Sequence, residues 1–114
     1  LQACAEHRLH DIKVNWADDH AITIVMAANG YPGPYQKGSV INGLDALPED
    51  SKNMVFHAGT TKKDGAITAT GGRVLAVTAC SDTLTEARER AYAMTKSIDW
   101  PAGFYRNDIG WRAL

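Results

Sequence analysis

Asn53-Met54-Val55-Phe56-His57-Ala58-Gly59-Thr60-Thr61-Lys62-Lys63-Asp64-Gly65-Ala66-Ile67-Thr68-Ala69-Thr70-Gly71-Gly72-Arg73-Val74-Leu75-Ala76-Val77-Thr78-Ala79 is the stretch whose reading decides the fold. Three runs rich in apolar and β-branched residues, Asn53 to Gly59, Ala66 to Ala69 and Arg73 to Ala79, predict three strands. Lys63-Asp64-Gly65 and Thr70-Gly71-Gly72 separate them, and both carry the glycines that tight hairpin connections require. The three strands are therefore expected to be antiparallel neighbours. Upstream, His20 to Ala28 is almost continuously apolar and β-branched, which predicts a strand buried on both faces. Asn29–Gly30 ends it, and Gly30-Tyr31-Pro32-Gly33-Pro34-Tyr35-Gln36-Lys37-Gly38 mixes fixed-φ prolines with permissive glycines, so an ordered loop follows. Ser39 to Ile41 reads as a short strand and Gly43 to Leu47 as a single turn.

Farther out, Leu1, Ala5 and Leu9 recur at helical spacing, so residues 1–10 read as the end of a helix, handing over to a short strand at Ile12 and Val14. Downstream of the deciding stretch, Thr83 and Glu86 form a Thr-x-x-Glu capping box. Leu84, Ala87, Ala91, Met94 and Ile98 then line one face of a long helix that stops before Pro101. Phe104–Tyr105 reads as a last short strand. The order is α+β: an antiparallel sheet with one packed long helix.

A chain of 114 residues is the size of one domain. Its 45% hydrophobic and 22% charged residues are those of an ordinary folded protein. A net charge of -1 disfavours a broad nucleic-acid surface, though a small cationic pocket fits inside a neutral total. The longest apolar stretch, Ala21 to Ala28, is far below the roughly 20 residues of a membrane helix. Cys4 and Cys80 form no CxxC pair and read as reduced thiols of a cytosolic protein. A start at Leu1, with a helix already under way, reads as a piece of a longer chain.

The residues offer no complete catalytic set: no phosphate loop, no GxSxG, no HExxH and no Cys/His cluster. His57 reads either as a buried structural histidine or as a group beside a ligand. The more informative constellation is Gly59-Thr60-Thr61-Lys62-Lys63 followed by Gly71-Gly72-Arg73. An antiparallel return brings Arg73 toward the first strand, and free N–H groups at the glycines would add positive potential suited to a phosphate monoester. The bland reading is that the lysines are solvated and the glycine pair is only a turn. Asp82 and Glu86 read as helix-start charges, and Glu86, Arg88, Glu89 and Arg90 as a solvated face. Cys80 reads as an inert thiol, and Trp111 with Arg112 as cover for an apolar patch or a neighbouring domain.

Taken in order, Gly30-Tyr31-Pro32-Gly33, Val55-Phe56-His57-Ala58-Gly59-Thr60, Gly71-Gly72-Arg73-Val74-Leu75, Val77-Thr78-Ala79 and Phe104 through Ala113 resemble the C-terminal domain of the phosphoribosylamine–glycine ligase family. The likeness spans nearly the whole chain. It departs at Asn29–Gly30, where a second glycine is more usual, and at Cys80–Ser81, where Leu-Gly is commoner. The resemblance implies a small antiparallel β-barrel or sandwich, hybrid-motif-like, with one long helix, as the C-terminal domain of an ATP-grasp enzyme covering residues 1–114. It implies a cytoplasmic ligase of purine synthesis that joins glycine to 5-phosphoribosylamine using ATP and Mg²⁺ or manganese. Those groups would be held mainly by preceding domains outside these residues, leaving this piece inactive alone. It further implies that this domain lines the acceptor pocket, with Arg73 on the sugar phosphate, Lys62 or Lys63 as companion, and Gly72, His57 and Tyr31 bordering the cleft. No catalytic or metal-binding residue is expected here. The competing expectation is a non-catalytic phosphate-metabolite-binding or structural domain.

Overall fold

The computed structural model describes Leu1–Leu114. Its largest sheet is built around β1 (His20–Ala28) and β6 (Arg73–Ser81), which pair antiparallel along almost their whole length. β3 (Asn53–His57) flanks β6, and the two-residue β7 (Gly103–Phe104) caps the end of β1, giving the order β3-β6-β1-β7. A smaller sheet, β2-β5-β4, is made of β2 (Val40–Ile41), β4 (Thr60–Lys63) and β5 (Ala66–Ala69). Both sheets are antiparallel and open in strand order.

The expected turn at Lys63-Asp64-Gly65 is a two-residue hairpin. Asp64 and Gly65 both take positive φ, 52° and 81°, and Lys63 pairs with Ala66 across them. Two positive-φ residues match the right-handed twist of the flanking strands, which is why Asp-Gly sits there. The strand leading into this turn was hidden in the sequence, because Lys62 and Lys63 mask the β-branched pair Thr60–Thr61. Thr70-Gly71-Gly72 does not join neighbours. β5 pairs with β2 and β4, so this segment is a crossover from the small sheet to the large one. β6 instead returns beside β3, with His57 opposite Leu75.

β1 is not buried on both faces. Ile22, Ile24 and Met26 are buried while Ala21, Thr23 and Val25 are exposed, and continuous burial is confined to Met26–Ala28. The alternation follows from the long helix α2 (Leu84–Ser97), which packs on β1 and β6 from one side. Thr83 caps α2, its Oγ1 accepting from the Glu86 amide at 3.2 Å. The reciprocal half of the capping box is missing, because the Glu86 carboxylate accepts instead from Ser81 and Arg90, each at 2.6 Å. Ala87, Ala91 and Met94 are buried as the helical spacing predicts, and Ile98 follows as the cap. Buried Thr95 satisfies its hydroxyl on the Ala91 carbonyl at 2.7 Å.

Two terminal expectations are corrected. The first helix, α1, covers only Gln2–Ala5, and His7 ends it by taking φ 56°, a left-handed helix stop. A 3₁₀ turn at Leu9–Asp11 follows, and Ile12 and Val14 are exposed with no strand partner. Arg88 does not belong to a solvated face either. Its guanidinium donates to the Ile109 carbonyl at 2.9 Å and the Asn107 carbonyl at 3.1 Å, and lies over the Tyr92 ring. The Tyr92 hydroxyl donates to the Arg106 carbonyl and accepts from the Ile109 amide, so α2 clamps the C-terminal segment. One core joins both sheets and α2, with Ile41 and Ala69 of the small sheet in the same buried cluster as Ile24, Leu75, Val77 and Met94. Trp100 completes it, its indole N–H donating to Ser39 Oγ at 2.8 Å.

Candidate functional site

The hairpin β4–β5 leaves the large sheet at Gly59 and returns at Gly71, and the two glycines close a neck. The Gly59 carbonyl accepts from the amides of Thr70 at 2.8 Å and Gly71 at 3.1 Å. A Cβ on Gly59 would lie 2.6 Å from the Arg73 carbonyl oxygen and 3.0 Å from the Gly71 Cα, so backbones touch where side chains would collide. On the other side, the amides of Ala58 and Gly59 both donate to the Val74 carbonyl. Along β1 the register skips at the same place: Met26 pairs with Leu75 but Ala27 with Arg73, leaving Val74 as an additional residue. Irregularities of this kind bend a strand and re-aim the neighbouring side chain, and they recur beside active sites. Arg73 is the side chain next to it. It is exposed, and it forms no ion pair or side-chain hydrogen bond within the chain.

Tyr31 and Gly72 belong to this junction. A Cβ on Gly72 would lie 2.1 Å from Tyr31 Cδ2, so the half-buried tyrosine ring rests directly on the glycine backbone. The Gly72 carbonyl accepts from the Ala28 amide at 2.7 Å, and the Tyr31 amide donates to the Ala28 carbonyl at 3.0 Å, tying the loop to the end of β1. Tyr35 meets the Tyr31 ring edge-on, 6.2 Å between centroids. His57 lies across the neck. It is exposed, which overturns its reading as a buried histidine, because β3 is an edge strand with only Val55 buried. Its Nδ1 sits 2.9 Å from the Thr60 hydroxyl, a partner three residues on that no sequence pattern signals.

The lysines stand farther out. Lys62 pairs with Ile67 and Lys63 with Ala66, toward the tip of the hairpin and in the other sheet from Arg73. Alternation along β4 puts Lys62 on the face of Thr60, the histidine's partner, and Lys63 on the face of Thr61. Of the glycine amides expected to face an anion, those of Gly59 and Gly71 are bound to the carbonyls of Val74 and Gly59, while that of Gly72 has no hydrogen-bond partner within the chain. Positive potential at this ledge comes from the Arg73 side chain, with the unbound Gly72 amide beside it. The ledge is open surface, and the cavities lie elsewhere, for example a 290 Å³ cleft between β3 and α2 lined by Asn53, Arg90 and Met94.

Fold and site together define a class: a small α+β domain with two open antiparallel sheets, one long helix and a solvent-facing arginine beside a glycine neck. Residues 21–112 match the family model described as the phosphoribosylglycinamide synthetase C domain, and the chain belongs to that family. It is 52% identical over its whole length to a phosphoribosylamine–glycine ligase of Brucella melitensis, of which it spans 27%. It is 50% identical to the chloroplastic phosphoribosylamine–glycine ligase of Arabidopsis thaliana, of which it spans 22%. The crystal structure of phosphoribosylamine–glycine ligase from Thermotoga maritima superposes with a TM-score of 0.67 at 38% identity, over 77% of this chain and 21% of that one. The chain thus spans about a quarter of the length of the relatives it matches.

Proposed function

We propose that these residues form the closing domain of a cytoplasmic ATP-grasp ligase that joins glycine to 5-phosphoribosylamine in purine synthesis, and that they supply one wall of the acceptor pocket. In that setting the two open sheets form the hybrid-motif-like sandwich of the last domain, working with the preceding domains of the same polypeptide. The observation that carries the reading is the exposed, unpaired Arg73 beside the Gly59–Gly71 neck in a chain whose relatives bear that enzyme's name. A guanidinium presents two parallel N–H donors, which suit a phosphate monoester better than a point charge does. Lys62 is the better-placed companion, on the same face of β4 as the Thr60 hydroxyl that holds His57. Tyr31, seated on Gly72, borders the same ledge.

ATP and its magnesium are assigned to the preceding domains. No three His, Cys, Asp or Glu side chains converge within this chain, so its donor set does not make a metal cage. The role left to these residues is to bind and orient the acceptor. In the full-length enzyme, Arg73→Ala is expected to weaken acceptor binding by ~1.5–3 kcal/mol, roughly 10- to 150-fold, through loss of a charge-assisted contact. ATP affinity should be unchanged. Initial-rate kinetics with each substrate varied in turn checks this, and an unaltered KM for the sugar amine would sink the assignment. Lys62→Ala is expected to weaken acceptor binding more than Lys63→Ala in the same assay.

A further inference from the structure

The loop that leaves β1 touches the crossover Thr70-Gly71-Gly72 at both of its ends. The start of the loop rests there through the Tyr31 ring on Gly72. Its end meets β5: the Gly38 amide donates to the Ala69 carbonyl at 2.6 Å, and the Ala69 amide donates to the Ser39 carbonyl at 2.8 Å. Two residues thus oppose one, a bulge whose first position is a glycine at φ 94°, the left-handed geometry such bulges demand. Lys37, whose carbonyl shares a peptide with that Gly38 amide, is therefore held beside the start of the crossover, and Arg73 stands at its end. Extended chain from Ala69 to Arg73 spans at most ~14 Å, a separation that two long side chains can bridge. In the sheet order β2-β5-β4, Lys37 comes in from the β2 side, across β5 from Lys62.

Lys37 is exposed and forms no ion pair or side-chain hydrogen bond within the chain. It is the only charged residue from Asn29 to Leu44, as Arg73 is from Ala66 to Ser81, so no carboxylate on either segment offsets them. Between the two cations, the Gly72 amide has no partner although Gly72 itself is buried. A buried N–H without an acceptor is rare, because it gives up the hydrogen bond that water would supply. All three groups lack the same counterpart, an anion rich in acceptor oxygens. We propose that Lys37 is a further binding residue for the phosphate of the acceptor, acting with Arg73 across the crossover while the Gly72 amide donates to the same group, an assignment that rests on the proposed function above. A sugar phosphate carries about two negative charges and three acceptor oxygens. The two cations match it in charge, and the amide takes an oxygen they leave over. Lys37 contributes a mobile point charge where Arg73 contributes a planar fork.

The test compares the full-length parent with Lys37→Ala, Lys37→Arg and Arg73→Ala. Initial rates are measured with phosphoribosylamine, glycine and ATP varied in turn, and ribose 5-phosphate binding is followed by titration calorimetry. Lys37→Ala is expected to raise KM for the sugar amine and to weaken ribose 5-phosphate by about 10- to 150-fold, the loss of one charge-assisted contact. Lys37→Arg should retain most of the affinity, and in both Lys37 variants KM for glycine and ATP and the urea midpoint should stay at the parent's values. Unaltered KM and ribose 5-phosphate affinity in Lys37→Ala would overturn the proposal. So would equal losses in Lys37→Ala and Lys37→Arg with a lowered urea midpoint, which mark a residue that only holds the loop. Losses confined to Arg73→Ala reject Lys37 and leave the pocket assignment standing. Ribose 5-phosphate binding that depends on Lys37 in a protein without glycine-dependent ADP formation keeps the phosphate site and rejects the ligase.

Discussion

Gly72 shows how little space separates the cationic ledge from the core. Because the Tyr31 ring occupies the position a Cβ would take, Gly72→Ala must push the ring away. The expected cost is ~1–3 kcal/mol, the usual range for overpacking, read from denaturant midpoints. Adding Tyr31→Ala should recover part of that loss, since the two substitutions share one contact and cannot be additive. The ledge was partly legible. Arg73 and Gly72 stand out in the sequence because glycines beside a cation suggest a phosphate site, and the structure does place Gly72 under Tyr31. The His57–Thr60 contact was not legible, because β3 lies at the sheet edge and nothing in the apolar pattern says so. Nor was the loss of the Gly59 amide, which is taken by the Val74 carbonyl that the β3–β6 pairing brings near.

Among the elements, α2 was the clearest in the sequence, since its cap and its apolar spacing agree. Thr83→Ala should cost ~0.5–2 kcal/mol, the usual loss of an N-cap, measured by thermal or urea unfolding. Only half of the capping box forms, and this has a consequence for acid stability. The Ser81 hydroxyl first, and then the Arg90 guanidinium, hold the Glu86 carboxyl below the ordinary glutamate range. A carboxyl lowered in the folded state stabilises fully above its unfolded value of about 4.3, and that contribution fades as pH falls through the lowered value. Urea midpoints of the parent chain and Glu86→Gln should therefore differ at about pH 7 and draw together as the pH falls below about 4. Smaller elements were harder to read. β4 hides behind its lysines, and whether Thr70-Gly71-Gly72 is a hairpin or a crossover depends on long-range pairing that turn chemistry does not encode.

For the whole molecule, most of the strands and the single long helix were visible, while β4 and the division into two sheets were not. The clamp on the C-terminal segment was also invisible, because Arg88 sits in a charged run that reads as solvated. Arg88→Ala removes two bonds to backbone carbonyls and a contact with the Tyr92 ring. It is expected to destabilise by ~1–3 kcal/mol and to speed amide exchange at Ile109 more than in β6, which hydrogen-exchange mass spectrometry resolves. The neck at Gly59 and Gly71 has a different implication. Since the two ends of the β4–β5 excursion are already joined, residues inserted at Asp64–Gly65 lengthen a loop whose closure has been made elsewhere, and chain entropy grows only logarithmically with such length. The tip of that hairpin is thus where the polypeptide can accept a grafted segment, an epitope or a reporter while β3 and β6 keep their register.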